Sequence, residues 1–133
     1  MKITLKRISE ADNLARLVIA RNKDGQRSKF FYAWKRFCDK NYSSYVQELQ
    51  EQLTLVRISN ALEDANKAII TDKENMRGYK FSKEGLKKCI EEENKLIKEF
   101  QEKEVEAEPY FCLSLPEMSD EEKEVFKGMI IKP

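Results

Sequence analysis

Cys38, Cys89 and Cys112 carry the most reactive side chains of a sequence that has no histidine. The three thiols are spread along the chain and none belongs to a C-x-x-C pair, so they read as free, mostly buried thiols in a reducing compartment. Without histidine, one chain cannot build a Ser–His–Asp triad, a Cys–His nucleophile, an H-E-x-x-H site or a Cys2His2 zinc site. The glycines Gly25, Gly78, Gly85 and Gly128 stand alone, which excludes a Walker-A loop and a G-x-G-x-x-G turn. Carboxylates are plentiful, yet Glu91-Glu92-Glu93 and Asp120-Glu121-Glu122 are consecutive. On a helix such runs fan around the axis instead of converging on a metal, so they read as solvated surface and helix-start charge. The sequence therefore implies no catalytic residue, no metal and no cofactor, and the expectation is a protein that is not an enzyme.

The elements that position these residues follow from pattern. With 133 residues, 41% hydrophobic and 37% charged, the chain suits a single domain over 1–133 with one modest core. It has no apolar run long enough for a membrane span and no secretory signal, which points to a cytoplasmic protein. Ile3 and Leu5 alternate with polar residues, as in a short strand, and Ser9 with Asp12 reads as the start of a helix over 10–21. Residues 15–20 are also β-competent before the turn at Asp24-Gly25, though helix is preferred. Ser28 caps a helix whose Phe30, Trp34, Phe37 and Cys38 share one face.

A long helix is expected over 43–69, about 40 Å at the helical rise. It bears two stripes: Val46, Leu49, Leu53 and Val56, then Leu55, Ile58, Leu62, Ala65 and Ile69. Charged residues and Gly78 then make a loop, with a short extended piece at 79–81. Ser82 caps a helix over 83–103, whose solvent face pairs Glu84 with Lys88, Glu91 with Lys95 and Glu99 with Lys103. Residues 110–115 alternate and are bracketed by Pro109 and Pro116, a second strand that could pair with Ile3–Leu5 or with 79–81. Ser119 to Glu122 is a full capping box for a short helix closing at Gly128. The fold class is mainly α: an antiparallel helical hairpin, shorter N-terminal helices, and a small β element near the chain ends.

Charge is split along the sequence. Residues 1–45 hold eleven Lys and Arg against four Asp and Glu, and seven of the thirteen aromatics lie between Phe30 and Tyr45. Core packing with charge compensation accounts for this block. The alternative is a nucleic-acid surface in which Lys29, Lys35, Arg36 and Lys40 contact phosphates while Tyr32 or Trp34 stacks on bases. The tail Met129-Ile130-Ile131 either packs back or waits for a partner.

From the long helix onward, element order and composition match a known layout. Its marks are Gly-Tyr-Lys-Phe-Ser at 78–82, a Lys/Glu-rich helix, Glu-Val-Glu-Ala-Glu-Pro at 104–109, Leu115-Pro116, and a capped short helix with an apolar end. Over roughly residues 45–131 this resembles a group of small, uncharacterised proteins of tailed phages and prophages. The resemblance implies a phage setting, in a host cytoplasm, and a non-enzymatic role in particle assembly or in inhibiting a host defence protein. The expected activity is protein–protein binding through Leu53, Val56, Ile58, Leu62, Met129, Ile130 and Ile131. One long helix with two apolar stripes has more surface than a single partner helix covers, so a two-fold homodimer is expected.

Overall fold

The structure, a computed structural model, describes residues 1–112 and 114–131. Leu113 of the expected second strand and the final Lys132-Pro133 lie outside them. Contacts gather into two compact units, Met1–Tyr45 with Gln101–Pro133, and Val46–Phe100. The fold is mainly α, with a small antiparallel pair of strands near the chain ends. No described helix is long and apolar enough to cross a membrane.

The first unit opens with β1 (Lys2–Thr4) and α1 (Leu5–Arg21). Thr4, not Ser9, starts the helix: its backbone is extended and its Oγ1 accepts the Arg7 N–H at 3.2 Å. The early start is fixed by burial, since Leu5, Ile8, Ala11, Ala15 and Val18 lie on one fully buried stripe. Residues 15–20 are thus helical, and the strand expected as far as Leu5 stops one residue earlier. A turn follows in which Asp24 has φ +55°. Ser28 then caps α2 (Lys29–Asn41), accepting the Phe31 N–H at 3.1 Å.

The aromatic block of α2 is core. Trp34 stacks on Phe37 at 5.1 Å between ring centroids, and Phe126 meets both Phe30 (5.2 Å) and Trp34 (5.3 Å) edge-on. Phe126 ends α5 (Asp120–Val125), whose capping box of Ser119 and Glu122 is complete. Buried Asn41 ties α2 to the carboxy-terminal segment. It donates to the Glu108 carbonyl at 2.9 Å and accepts the Glu108 N–H at 2.9 Å.

The strand pairing differs from both expected alternatives. β1 runs antiparallel to β2 (Glu104–Glu106), with Ile3 opposite Val105. β3 (Tyr110–Phe111) pairs in parallel with β4 (Ile130–Ile131). Burial sets the first register: Ile3 and Val105 point inward, while Lys2 faces Glu106 across the outer side.

The second unit holds most of α3 (Ser43–Asn60) and α4 (Lys83–Glu102). α3 ends nine residues before the expected Ile69, at about 27 Å. Its end is set by side chains that bind their own backbone. Asn60 donates to the Val56 carbonyl at 2.8 Å, and Asp64 Oδ1 accepts the N–H groups of Asn66 and Ala68. Asp72 and Asn75 do the same for Glu74 and Arg77. Residues 61–82 therefore fold back on themselves, with Leu62 bonded to Lys80, Ile70 to Leu62, and Lys80 to Ile70 through the main chain. Ala65 and Ile69 of the second stripe are connector residues, not helix. Ser82 caps α4 as expected, accepting the Gly85 N–H at 3.0 Å. At the start of α4 a Cβ on Gly85 would stand 2.8 Å from the Asn60 carbonyl oxygen, so the chain approaches the end of α3 closely there.

Candidate partner surfaces

The residues expected to bind a partner fall into different environments. Leu53 is buried within its own unit, Val56 and Ile58 are half-buried, and Leu62 is exposed on the connector instead of on the helix. Leu55, on the outer side of α3, is 63% exposed. It lines a shallow apolar depression of about 420 Å³ with Gln47, Gln50, Glu51 and Thr54. Thr54 donates its hydroxyl to the Gln50 carbonyl at 2.9 Å, which leaves its methyl group to the surface. Met129 and Ile130 are buried in the first unit, and the backbone of Ile131 pairs with Phe111. Met129 and Ile130 of the apolar tail are thus packed back.

The second unit is unevenly buried. Of Val46, Leu49, Leu53, Leu55, Val56 and Ile58 on α3, only Leu53 is fully buried, and on α4 only Cys89 and Glu93 are. Ile90 and Ile97, seven residues apart on one flank of α4, are exposed.

Glu93 corrects the reading of the Glu91-Glu92-Glu93 run as solvated surface. It is 5% exposed and accepts Arg57 Nε at 2.7 Å, Arg77 Nε at 3.0 Å and an Arg77 terminal nitrogen at 2.8 Å. One carboxylate thus locks α3 and the connector onto α4. The sequence signal was register: Glu93 shares the inward stripe of α4 with Leu86, Cys89, Leu96 and Phe100. On the solvent face, the close approach among described residues is Lys88 with Glu92, at 3.9 Å.

The Asp120-Glu121-Glu122 run is helix-start charge, as expected. Glu122 is held at about 2, first by the Arg21 guanidinium and then by the Ser119 N–H. Arg21 grips it with two nitrogens at 2.6 and 2.8 Å. The basic first third is thus partly neutralised by acidic residues of its own unit.

On α2, Lys29, Tyr32, Lys35, Arg36 and Lys40 are exposed, whereas Trp34 is only 4% exposed. The indole Nε1 donates to Asp12 at 2.8 Å, so Trp34 is a core residue and not a stacking platform. Between α1 and α2 lies a cleft of about 310 Å³ that sequence reasoning missed, lined by Arg16, Ile19, Phe31 and Lys35, among others. Cys38 is among the lining residues, and its thiol is pushed up to about 12, by burial first and then by the charges of Asp12 and Asp39. It is therefore a protonated thiol at neutral pH. Among the described residues, no group of three or more His, Cys, Asp or Glu is placed to hold a metal ion. No family model matches the sequence, no curated protein is similar to it, and no solved structure matches its fold.

Proposed function

We infer that the chain acts by binding another protein, without catalysis, and that the apolar sides of α3 and α4 are where the partner docks. The observation that carries this reading is the incomplete private core of the second unit: two buried apolar side chains, Leu53 and Cys89, in residues 46–100. A large apolar side chain left wholly uncovered forgoes about 1.5–3 kcal/mol of burial; Leu55 is 63% exposed and forgoes most of that, while Ile90 and Ile97, 37% and 36% exposed, forgo a smaller share. The simplest occupant is a second copy in a two-fold dimer. The phage-like layout of residues 45–131 supports a setting in particle assembly or in the inhibition of a host defence protein, in the host cytoplasm.

Light scattering tests the reading. The expected mass is about twice 15.7 kDa, with a melting temperature that rises with protein concentration. Leu55→Asp should restore the monomer without unfolding it, because the Leu55 side chain is mostly exposed. A 15.7 kDa species at high concentration, with pull-downs from phage-infected cells unchanged by Leu55→Asp, would falsify the assignment.

A further inference from the structure

We propose that the solvent face of α2, with the cleft beside it, binds single-stranded nucleic acid, an activity beyond the protein binding inferred for α3 and α4. The face is basic and unengaged: Lys29, Lys35, Arg36 and Lys40 are exposed, and none makes an ion pair among the described residues. Asp39 is the one acidic residue among them. By contrast, Arg16 is tied to Asp12 and Arg21 to Glu122.

Two of these placements oppose the helix's own stability, while Lys40 in the last turn suits the helix dipole. Lys29 stands in the first turn, where the helix dipole favours anions and where α2 has no acidic residue. Arg36 and Lys40 are four residues apart, a like-charge pair that repels on one face. An anion running along α2 relieves both. Lys29 to Lys40 spans about 16 Å of helix, long enough for several phosphates.

Two features select nucleic acid over an acidic peptide. Tyr32 is 57% exposed in the middle of the basic face, and its ring is braced edge-on by Phe31 at 5.3 Å and 78°. A fixed, exposed ring among cations is a stacking platform for a base. Phe31 and Lys35 also line the cleft, where Asp12 is engaged by Trp34 and Arg16 and where Ile19 and the Phe31 ring offer apolar surface to a base; Asp39 also lines it, so phosphates follow the lysine and arginine side of α2 and not the cleft. Only unpaired bases can reach such surfaces, which favours a single strand over a duplex.

Fluorescence anisotropy of the full chain with a labelled oligothymidine of about 15 nucleotides tests this. Four phosphate contacts give a slope of log K against log salt of about −3, so affinity should fall about fiftyfold from about 50 to about 200 mM salt. Arg36→Gln with Lys40→Gln should halve the slope. Tyr32→Ala should weaken binding about tenfold and leave the slope unchanged. All three residues are exposed, and the wild-type salt slope decides the question even if a variant folds poorly. No binding at about 50 mM salt with about 100 µM protein overturns the proposal. So does equal competition by a polyglutamate peptide or by duplex DNA, which would show a surface that reads charge alone.

Discussion

Replacing Glu93 by glutamine removes the charge that joins three segments while leaving the side chain's volume almost unchanged. The carboxylate is buried and receives hydrogen bonds from two guanidiniums, each with its side chain somewhat over a quarter exposed. Removing one partner of a fully buried ion pair costs about 3–5 kcal/mol. Residual hydration of Arg57 and Arg77 discounts this, and glutamine keeps part of the hydrogen bonding, which leaves about 2–3 kcal/mol. That corresponds to a melting temperature lower by about 10 °C at neutral pH. The pH dependence sharpens the test. Burial pushes the Glu93 carboxyl up, but the hydrogen bonds from Arg77 and Arg57, and their charges, hold it below the ordinary carboxylate value. A depressed pKa means that the stabilisation is fully present above the unfolded value of about 4.3 and is lost as pH falls through the folded value. Thermal and urea unfolding followed by circular dichroism should show a gap between wild type and Glu93→Gln that is constant from neutral pH to about 5 and closes in acid. A gap under about 0.5 kcal/mol at neutral pH, or one that persists in acid, refutes the argument.

Two glycine substitutions should separate sharply. A Cβ on Gly25 would stand 2.0 Å from the Ile19 carbonyl oxygen, so Gly25→Ala must move backbone and should cost more than about 3 kcal/mol; a normal melting curve would contradict the packing. Gly78 has φ +85° in open space, and Gly78→Ala should cost only about 1 kcal/mol of backbone strain in the same assay. Thiol titration at pH 8 should find slow labelling in the native protein and all 3 cysteines in denaturant, because Cys38 is pushed up to about 12 and Cys89 is pushed up by burial and then by Glu93. Fast native labelling mapped to Cys38 or to Cys89 would count against the placement of that residue.

What was legible in the sequence was mostly local. Ser28, Ser82 and Ser119 announce helix starts because a cap needs only a hydroxyl three residues before an N–H, and each does what its spacing says. The start at Thr4 was hidden because Ile3 and Leu5, two apart, also fit a strand. Helix and strand readings share those positions, and only the buried Ile8 and Ala11 beyond them decide. The overrun of α3 has the opposite cause. Leu62, Ala65 and Ile69 continue helical spacing by coincidence, while the signal that stops the helix lies in Asn60 and Asp64, and Asp72 and Asn75 only shape the connector beyond it. Glu104-Val-Glu-Ala alternates buried with exposed as a strand should, but pairing with residues a hundred positions away is not written locally. The aromatic core was legible from spacing. The selection within it, Trp34 inside and Tyr32 outside, follows from which side of α2 meets Phe126 and Asp12.

The pairing of β1 with β2 has a consequence for synthesis on the ribosome. Residues 46–100 are contiguous, so every contact within that unit can form once residue 100 has emerged, whereas the first unit joins residues 1–45 to residues 101–133. Residues 1–45 therefore emerge early with Phe30, Trp34 and Phe37 ready to pack, but Val105, Phe126 and Met129 are not yet made. At about 5–20 residues per second the delay before residue 131 is added is about 4–17 s. Chain elongation, more than the intrinsic speed of helix formation, then sets when this aromatic cluster is covered. Through that interval Phe30 and Trp34 wait for the ring of Phe126 that covers them in the folded protein.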